Sequence, residues 1–364
     1  MSTAVLEITE PVTIAQKLCL ESLEIKNFRV FEELKIERLG RVNLFIGENN
    51  VGKSSLLEAL WLLAHEGHPV VIAQILEHRD EAASSVIYKQ LNGDEGASRL
   101  NLLKILNDDA LSNHDLDDLE LEIGGVFEPT NKIKMRFFRA NLQVEVENNL
   151  NGVFQPGRAA YPLNKPLVDT TWPDPMFPCT IITANSSTLN KAEQLWDNIV
   201  LTPEEDDVLN ALRLITPSIQ KINWVNMPNA ENHRIPMVIL NGKSERIPLR
   251  RLGEGMNRLF GLILALVNAK NGVCLLDEIE NGLHFSIQPE VWRFIFKVAR
   301  RLNVQVFATT HSWDCLSAFQ EAASEYEHEE GVVIRLVNKN GRIRVTFFDE
   351  KGMKIIVREG MEIR

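Results

Sequence analysis

Residues 47–55 read Gly47-Glu-Asn-Asn-Val-Gly52-Lys53-Ser54-Ser55, and this stretch decides the fold. It fills every fixed position of the pattern G-x-x-x-x-G-K-[ST]. Just upstream, Val42-Asn-Leu-Phe-Ile46 is short and mostly apolar, as a buried strand is; downstream, residues 53–64 read as a helix. A strand, a glycine-rich turn and a helix in that order form an anion nest. Glycines let backbone amides approach phosphate oxygens closely, and those amides converge on the positive end of the helix. Lys53 is then within reach of the β- and γ-phosphates, and the Ser54 hydroxyl can ligate Mg²⁺. Gly47, Asn49, Asn50, Gly52, Lys53, Ser54 and Ser55 are the nucleotide-binding candidates of this loop.

Working outward, Val273-Cys-Leu-Leu-Asp277-Glu278 is an apolar strand delivering two adjacent carboxylates at its C-terminal end, the edge where parallel α/β sheets bind ligands. There Asp277 is placed to hold the Mg²⁺ shell and Glu278 to orient or deprotonate an attacking water. His311 follows the next apolar strand in Thr309-Thr310-His311-Ser312 and can bond a γ-phosphate or its water. Strands near 272–276 and 304–308 alternate with helices at 255–270 and 285–302, which implies a parallel α/β sheet. Leu20 to Glu37 alternates as two half-buried strands joined by a turn. Val238 to Leu249 reads as a hairpin around Asn241-Gly242, and Val332 to Phe347 as a second hairpin.

The 364 residues carry 39 Lys+Arg and 50 Asp+Glu, a net charge of −11, with 45% hydrophobic residues. That profile is globular, and it disfavours a surface that grips polyanions all over. Cys19, Cys179, Cys274 and Cys315 form no C-x-x-C pair, which excludes a zinc ribbon. The longest apolar run, Leu259 to Val267, is about half a membrane span. No basic-then-apolar signal opens the chain, so a cytoplasmic location without membrane contact is the expectation.

Taken together, Lys26-Asn27-Phe28-Arg29, the phosphate loop, Leu252-Gly253-Glu254-Gly255-Met256-Asn257-Arg258, Asp277-Glu278, Asn281-Gly-Leu-His284 and His311 resemble the ABC-type ATPases. The nearest likeness is to the branch holding RecF, SMC heads, break-repair ATPases and OLD-family proteins. An AAA+ motor is disfavoured, since no arginine-finger or sensor pattern follows. The resemblance implies ATP and Mg²⁺ as cofactors and a homodimer formed on ATP binding. In that dimer Gly253, Glu254, Gly255, Asn257 and Arg258 would cover the γ-phosphate of a second subunit. It further implies that Glu278 and His311 are catalytic, that Ser54 and Asp277 hold the metal, and that Asn27 and Arg29 touch the nucleotide. The signature-like segment lacks the serine that transporters carry after its leucine, and no Q-loop glutamine is identified beyond Gln74 and Gln143 as weak matches. The resemblance favours adenine, but no residue decides between ATP and GTP.

The expected fold is α/β: an ABC-ATPase head with an N-terminal antiparallel β-subdomain, a central mostly parallel sheet and an inserted α/β lobe. Its expected parts are a leader at 1–19, a head at 20–65 and 236–364, and an insert at 66–235 that partly extends the head. The insert has neither heptads nor a C-x-x-C hook, and the proline-rich patch Pro156 to Pro178 reads as a loop. Thr202-Pro-Glu-Glu205 reads as a helix start with Thr202 as its cap. Lys132, Lys134 and Arg136 read as a solvated strand face. Lys243, Arg246, Arg250, Arg251 and Arg258 read either as a nucleic-acid track or source of a phosphate-binding arginine acting in trans, or as a hairpin edge protected from aggregation. No Asp-x-Asp cluster of a Toprim nuclease follows His311. The favoured expectation is therefore a slow ATP switch acting on a separately encoded effector, such as a nuclease or toxin in phage defence. A RecF-like, ATP-gated DNA scaffold is the alternative.

Overall fold

The computed structural model describes residues 17–81, 104–107, 119–127, 131–137, 141–150, 153–162, 174–184, 192–226, 234–326 and 330–348. Nearly all of the expected leader, and residues 82–103 of the expected insert, lie outside them. Three sheets form among the described residues. The first is antiparallel and begins with β1 (Leu23–Phe28) and β2 (Phe31–Ile36). It continues through β4 (Leu119–Gly124), β5 (Lys132–Phe137), β6 (Asn141–Leu150) and β7 (Val153–Pro162), in the order β2-β1-β4-β5-β6-β7.

The central sheet carries the phosphate loop. Its order is β15-β14-β3-β13-β12-β8, with β3 at Val42–Ile46, β8 at Cys179–Ile182, β12 at Val273–Leu276, β13 at Gln305–Thr309, β14 at Gly331–Lys339 and β15 at Arg342–Phe348. Strands β14, β3, β13, β12 and β8 run parallel, and β15 returns antiparallel at the edge. Both faces are covered, so these strands read as nearly unbroken apolar runs. Side chains alternate between faces. Val42, Leu44, Ile46, Cys274 and Leu276 pack under α5 (Glu254–Asn268), α6 (Gln288–Leu302) and α7 (Trp313–Ala323). Phe45, Val273, Leu275 and Phe307 face the opposite core, built with α1 (Lys53–Ala64), α2 (Pro69–His78) and the first sheet. Buried Gln305 pins the incoming chain, accepting the Leu20 N–H at 2.9 Å and donating to Leu20 O and Gly40 O.

The third sheet, β11-β10-β9, comprises β9 (Ile219–Asn226), β10 (Arg234–Leu240) and β11 (Arg246–Pro248), with Gly242 at φ 75° in the turn. It packs beside α3 (Ala192–Asp197) and α4 (Pro203–Ile215). The two basic stretches differ sharply. Lys132, Lys134 and Arg136 form a cross-strand ladder with Glu120, Glu122 and Glu145. Burial alone would raise the Glu122 carboxyl, yet hydrogen bonds from Lys132, Lys134 and Lys26 outweigh it and hold the group at about 2. By contrast, the side chains of Lys243, Arg246, Arg250 and Arg251 are exposed and enter no ion pair among the described residues.

One expectation needs correction and another is met in part. Pro156 and Pro162 lie inside β7, not in a loop; β7 is an edge strand, where a missing N–H goes unmissed. Thr202 holds the N-cap position of α4, as expected, but makes no side-chain capping bond: its hydroxyl donates back to Ile199 O at 2.6 Å. The Glu205 carboxylate instead accepts the Leu201 N–H at 2.8 Å.

Candidate functional site

The loop between β3 and α1 is shaped by its two glycines. Gly47 has φ 147°, and a Cβ there would stand 2.4 Å from Leu336 O on β14. Gly52 has φ 94°, and a Cβ there would meet Val30 Cγ2 at 2.5 Å. Any side chain would push the backbone out of its curve. Lys53 folds back over the loop, its Nζ donating to Gly47 O at 2.7 Å and Glu48 O at 2.8 Å. Burial pulls the Lys53 ammonium below its usual range, while Asp277, Glu278 and Glu280 oppose that pull. Asn49 and Asn50 are exposed on the loop, with Asn50 at φ 65°.

Strand β12 ends where Asp277 begins, and the Asp277 N–H donates to Ile182 O on β8 at 2.8 Å. The Ser54 hydroxyl donates to the Asp277 carboxylate, 2.9 Å from Oδ2 and 3.2 Å from Oδ1. Glu278 sits in the left-handed region at φ 46°, and its Oε2 accepts from Asn281 Nδ2 at 2.6 Å. His311 reaches the same corner from the end of β13. Its Nδ1 lies 3.3 Å from Glu280 Oε1 and 3.8 Å from Glu278 Oε1. Phosphate loop, paired acids and histidine are thus brought together.

The fit to Mg²⁺ can be tested on the donors. Ser54 and Asp277 offer only oxygen, and Mg²⁺ takes one or two carboxylates together with substrate oxygens and water. No cluster of three or more His, Cys, Asp or Glu able to hold a metal occurs among the described residues, and such a cage is not what Mg²⁺ needs. The residues fit the ion.

Other candidates fall elsewhere. Gly253 and Glu254 are exposed at the start of α5, and no hydrogen bond joins them to the 47–55 loop among the described residues. Gly255 is pressed on the Asn281–His284 turn, for a Cβ there would stand 2.5 Å from Gly282 O. Asn257 is buried. Arg258 is buried too and turns inward, its Nη2 donating to Asp277 O at 2.8 Å and its Nη1 to Thr183 O at 3.2 Å. Asn27 and Arg29 have φ 55° and 52°. Asn27 Nδ2 donates to Glu120 O, and Arg29 pairs with Glu81 at 2.6 Å and lies 3.7 Å from Glu58. Ser55 is buried, and its hydroxyl accepts from Arg79, which also holds Glu58 at 2.6 Å. Arg79 therefore links the loop helix to Arg29, a connection that sequence reasoning missed.

Thr309 was also missed. Fully buried, its hydroxyl donates to Asp277 Oδ1 at 2.6 Å and accepts the Glu278 N–H at 2.9 Å, so one side chain sets both acids. The available signal was a hydroxyl residue closing the strand beside the acid strand. Thr309→Val should lower turnover by about 10- to 100-fold, because it leaves the Glu278 N–H unpaired and takes from Asp277 Oδ1 its shorter hydrogen bond at the reacting corner. KM for ATP should change little, and Thr309→Ser should restore the rate. Steady-state kinetics check this, and an unchanged turnover number for the valine variant would remove the hub's role.

Comparison with known proteins places this geometry. The AAA ATPase domain family matches residues 19–207 and 180–316. A Helicobacter pylori protein named ATP/GTP phosphatase is 22% identical over 350 residues, spanning 84% of this chain and 89% of that one. The DNA replication and repair protein RecF of Lactobacillus johnsonii is 56% identical over 45 residues, 12% of each chain. A solved SMC head, bound to the C-terminal winged-helix domain of ScpA, superposes with TM-score 0.52 at 13% identity, covering 92% of this chain and 99% of that one. Among the described residues no helix is long and apolar enough to cross a membrane. The chain belongs to the AAA ATPase domain family, is an ATPase and shares the fold of the SMC head.

Proposed function

We propose that the chain binds MgATP on the 47–55 loop, dimerises head to tail around two nucleotides, and hydrolyses them slowly as a switch for a separately encoded effector. Loop amides from Gly47 to Ser55 and the Lys53 ammonium hold the phosphates. Ser54 and Asp277 would hold Mg²⁺, which when bound neutralises charge on the phosphate oxygens. Glu278 accepts the proton of a water that attacks the γ-phosphorus; the bond to the bridging oxygen breaks, and ADP leaves. Asn281 and His311 fix the Glu278 carboxylate and the water. Arg29 braces the nucleotide side of the loop through its network with Glu58 and Arg79, while Asn27 is held by Glu120 O.

One observation carries the dimer. Gly253 and Glu254 are exposed beside the Gly255–Gly282 contact, and Phe285 next to His284 is 60% exposed. This edge is closely packed at Gly255 and lacks cover from its own chain among the described residues, so a second subunit's nucleotide is a fitting cover. Arg258, turned inward, carries the same edge's position to the carbonyls of Asp277 and Glu278.

A RecF-like DNA scaffold is the second reading. It is favoured by the exposed cations Lys243, Arg246, Arg250 and Arg251, which enter no ion pair among the described residues, and by the short RecF match. Affinity capture of Glu278→Gln protein with ATP separates the two. The effector reading expects one stoichiometric protein partner, as a role in phage defence through a nuclease or toxin would require. DNA alone, released by salt, would replace it with the scaffold.

A further inference from the structure

A third acid stands at the reacting corner beside the metal-holding Asp277 and the base Glu278. Glu280 lies on the turn that leaves β12, and the backbone of that turn is fixed on both sides of it. The Ile279 N–H donates to Thr309 O at 3.2 Å, and the Leu283 N–H donates to Glu280 O at 2.9 Å. The Glu280 side chain is only 9% exposed. Its Oε1 has two holds on His311: it accepts the backbone N–H at 3.1 Å and stands 3.3 Å from the ring nitrogen Nδ1. Its Oε2 is buried and has no hydrogen-bond partner among the described residues. A buried oxygen left in that state is a standing cost to the fold, and such costs are kept where a group serves the chemistry.

The segment carrying His311 does not depend on Glu280 for its shape. The Thr310 N–H donates to Phe45 O at 3.0 Å, and the Ser312 N–H donates to Thr310 Oγ1 at 3.0 Å. Removing the Glu280 carboxylate therefore frees the ring while the turn keeps its other ties.

The distances also decide which ring nitrogen carries hydrogen. Oε1 acts as an acceptor, since it takes the backbone N–H. A bare nitrogen lone pair 3.3 Å from that oxygen would be repelled by it, so the hydrogen belongs on Nδ1. Glu278 Oε1, at 3.8 Å from the same nitrogen, is beyond hydrogen-bond reach and stays free for water. In the neutral ring Nε2 then bears the lone pair.

We infer that Glu280 is a positioning residue for hydrolysis: it holds the neutral His311 ring with its hydrogen on Nδ1, so that Nε2 accepts from the attacking water instead of donating to a γ-phosphate oxygen. Nε2 and the Glu278 carboxylate then take the two hydrogens of one water and turn its oxygen toward the γ-phosphorus. As that oxygen bonds to phosphorus, one proton passes to Glu278 and the bond to the bridging oxygen breaks. The inference rests on the reading of Glu278 as the base.

Nitrogen-15 NMR of the full chain, labelled at histidine and recorded near pH 8.5, roughly two units above the ordinary imidazole range, tests the tautomer. The His311 signals, identified by their loss in His311→Ala, should show hydrogen on Nδ1, and Glu280→Ala should abolish that preference. Hydrogen on Nε2 in the wild-type protein would overturn the proposal. Steady-state kinetics give a second readout. Glu280→Ala should lower turnover by about tenfold while KM for ATP stays within about twofold. In a His311→Ala background it should cost nothing further, because it acts through that ring. A full additional loss in the double variant would show that Glu280 works without His311, and would overturn the proposal as well. Turnover retained by Glu278→Gln would instead remove the base, and would leave the tautomer result standing.

Discussion

Glu278→Gln should retain ATP binding while lowering turnover by about 10²- to 10⁴-fold, the range ascribed to a positioned general base. The substitution keeps the side chain's size and its bond from Asn281, since the amide oxygen can still accept at the 2.6 Å contact. What it removes is the site that takes the water's proton. Nothing in phosphate binding depends on that proton, so the triphosphate should accumulate on the protein. Single-turnover assays with labelled ATP measure this. Turnover within threefold of wild type would exclude Glu278 as the base, and Glu280, which already holds His311, would be the acid to examine next.

Lys53→Ala should weaken ATP by about 30- to 1000-fold, corresponding to the loss of one or two charge-assisted hydrogen bonds worth about 2–4 kcal/mol together. The ammonium bridges Gly47 O and Glu48 O across the loop. Its loss also leaves two carbonyl dipoles facing the place where phosphate oxygens would lie. Burial draws the Lys53 ammonium below its usual range, and a bound phosphate, as a nearby opposite charge, would draw it back toward the protonated form. Equal ATP affinity for variant and wild type in a titration would refute the phosphate role of the loop.

The residues that proved legible in the sequence are those whose role is set by local backbone. Gly47 and Gly52 announce positive φ and close approach, and Lys53 begins the helix at the spacing the turn demands. Val273 to Leu276 reads as a strand because it is apolar throughout, and the acids follow because a parallel strand ends at the ligand edge. The order of the strands could not be read so directly. β8 joins β12 and β14 joins β3 across long stretches of chain, through pairings that no local pattern encodes.

Side-chain direction was the least legible feature. Arg258 looked like part of an outward-facing segment, yet it is buried against the carbonyls of Asp277 and Glu278, because α5 packs that face on β8 and β12. Ser55 follows Ser54 in the motif but faces the opposite way, into the Arg79 and Glu58 network. Thr309 acquires its role only when β13 lies beside β12, an event of the tertiary fold. The Glu122 ladder shows the same limit, since Lys26 from β1 and Lys132 and Lys134 from β5 converge on one carboxylate of β4.

In the proposed mechanism two chains close around two nucleotides through the exposed turn at Gly253 and Glu254. Size-exclusion chromatography with light scattering on Glu278→Gln protein, run with and without MgATP, tests it most directly. A mass that doubles with ATP, and stays single for the same variant carrying Lys53→Ala, is the predicted result. A single-chain mass at saturating ATP would contradict the composite site.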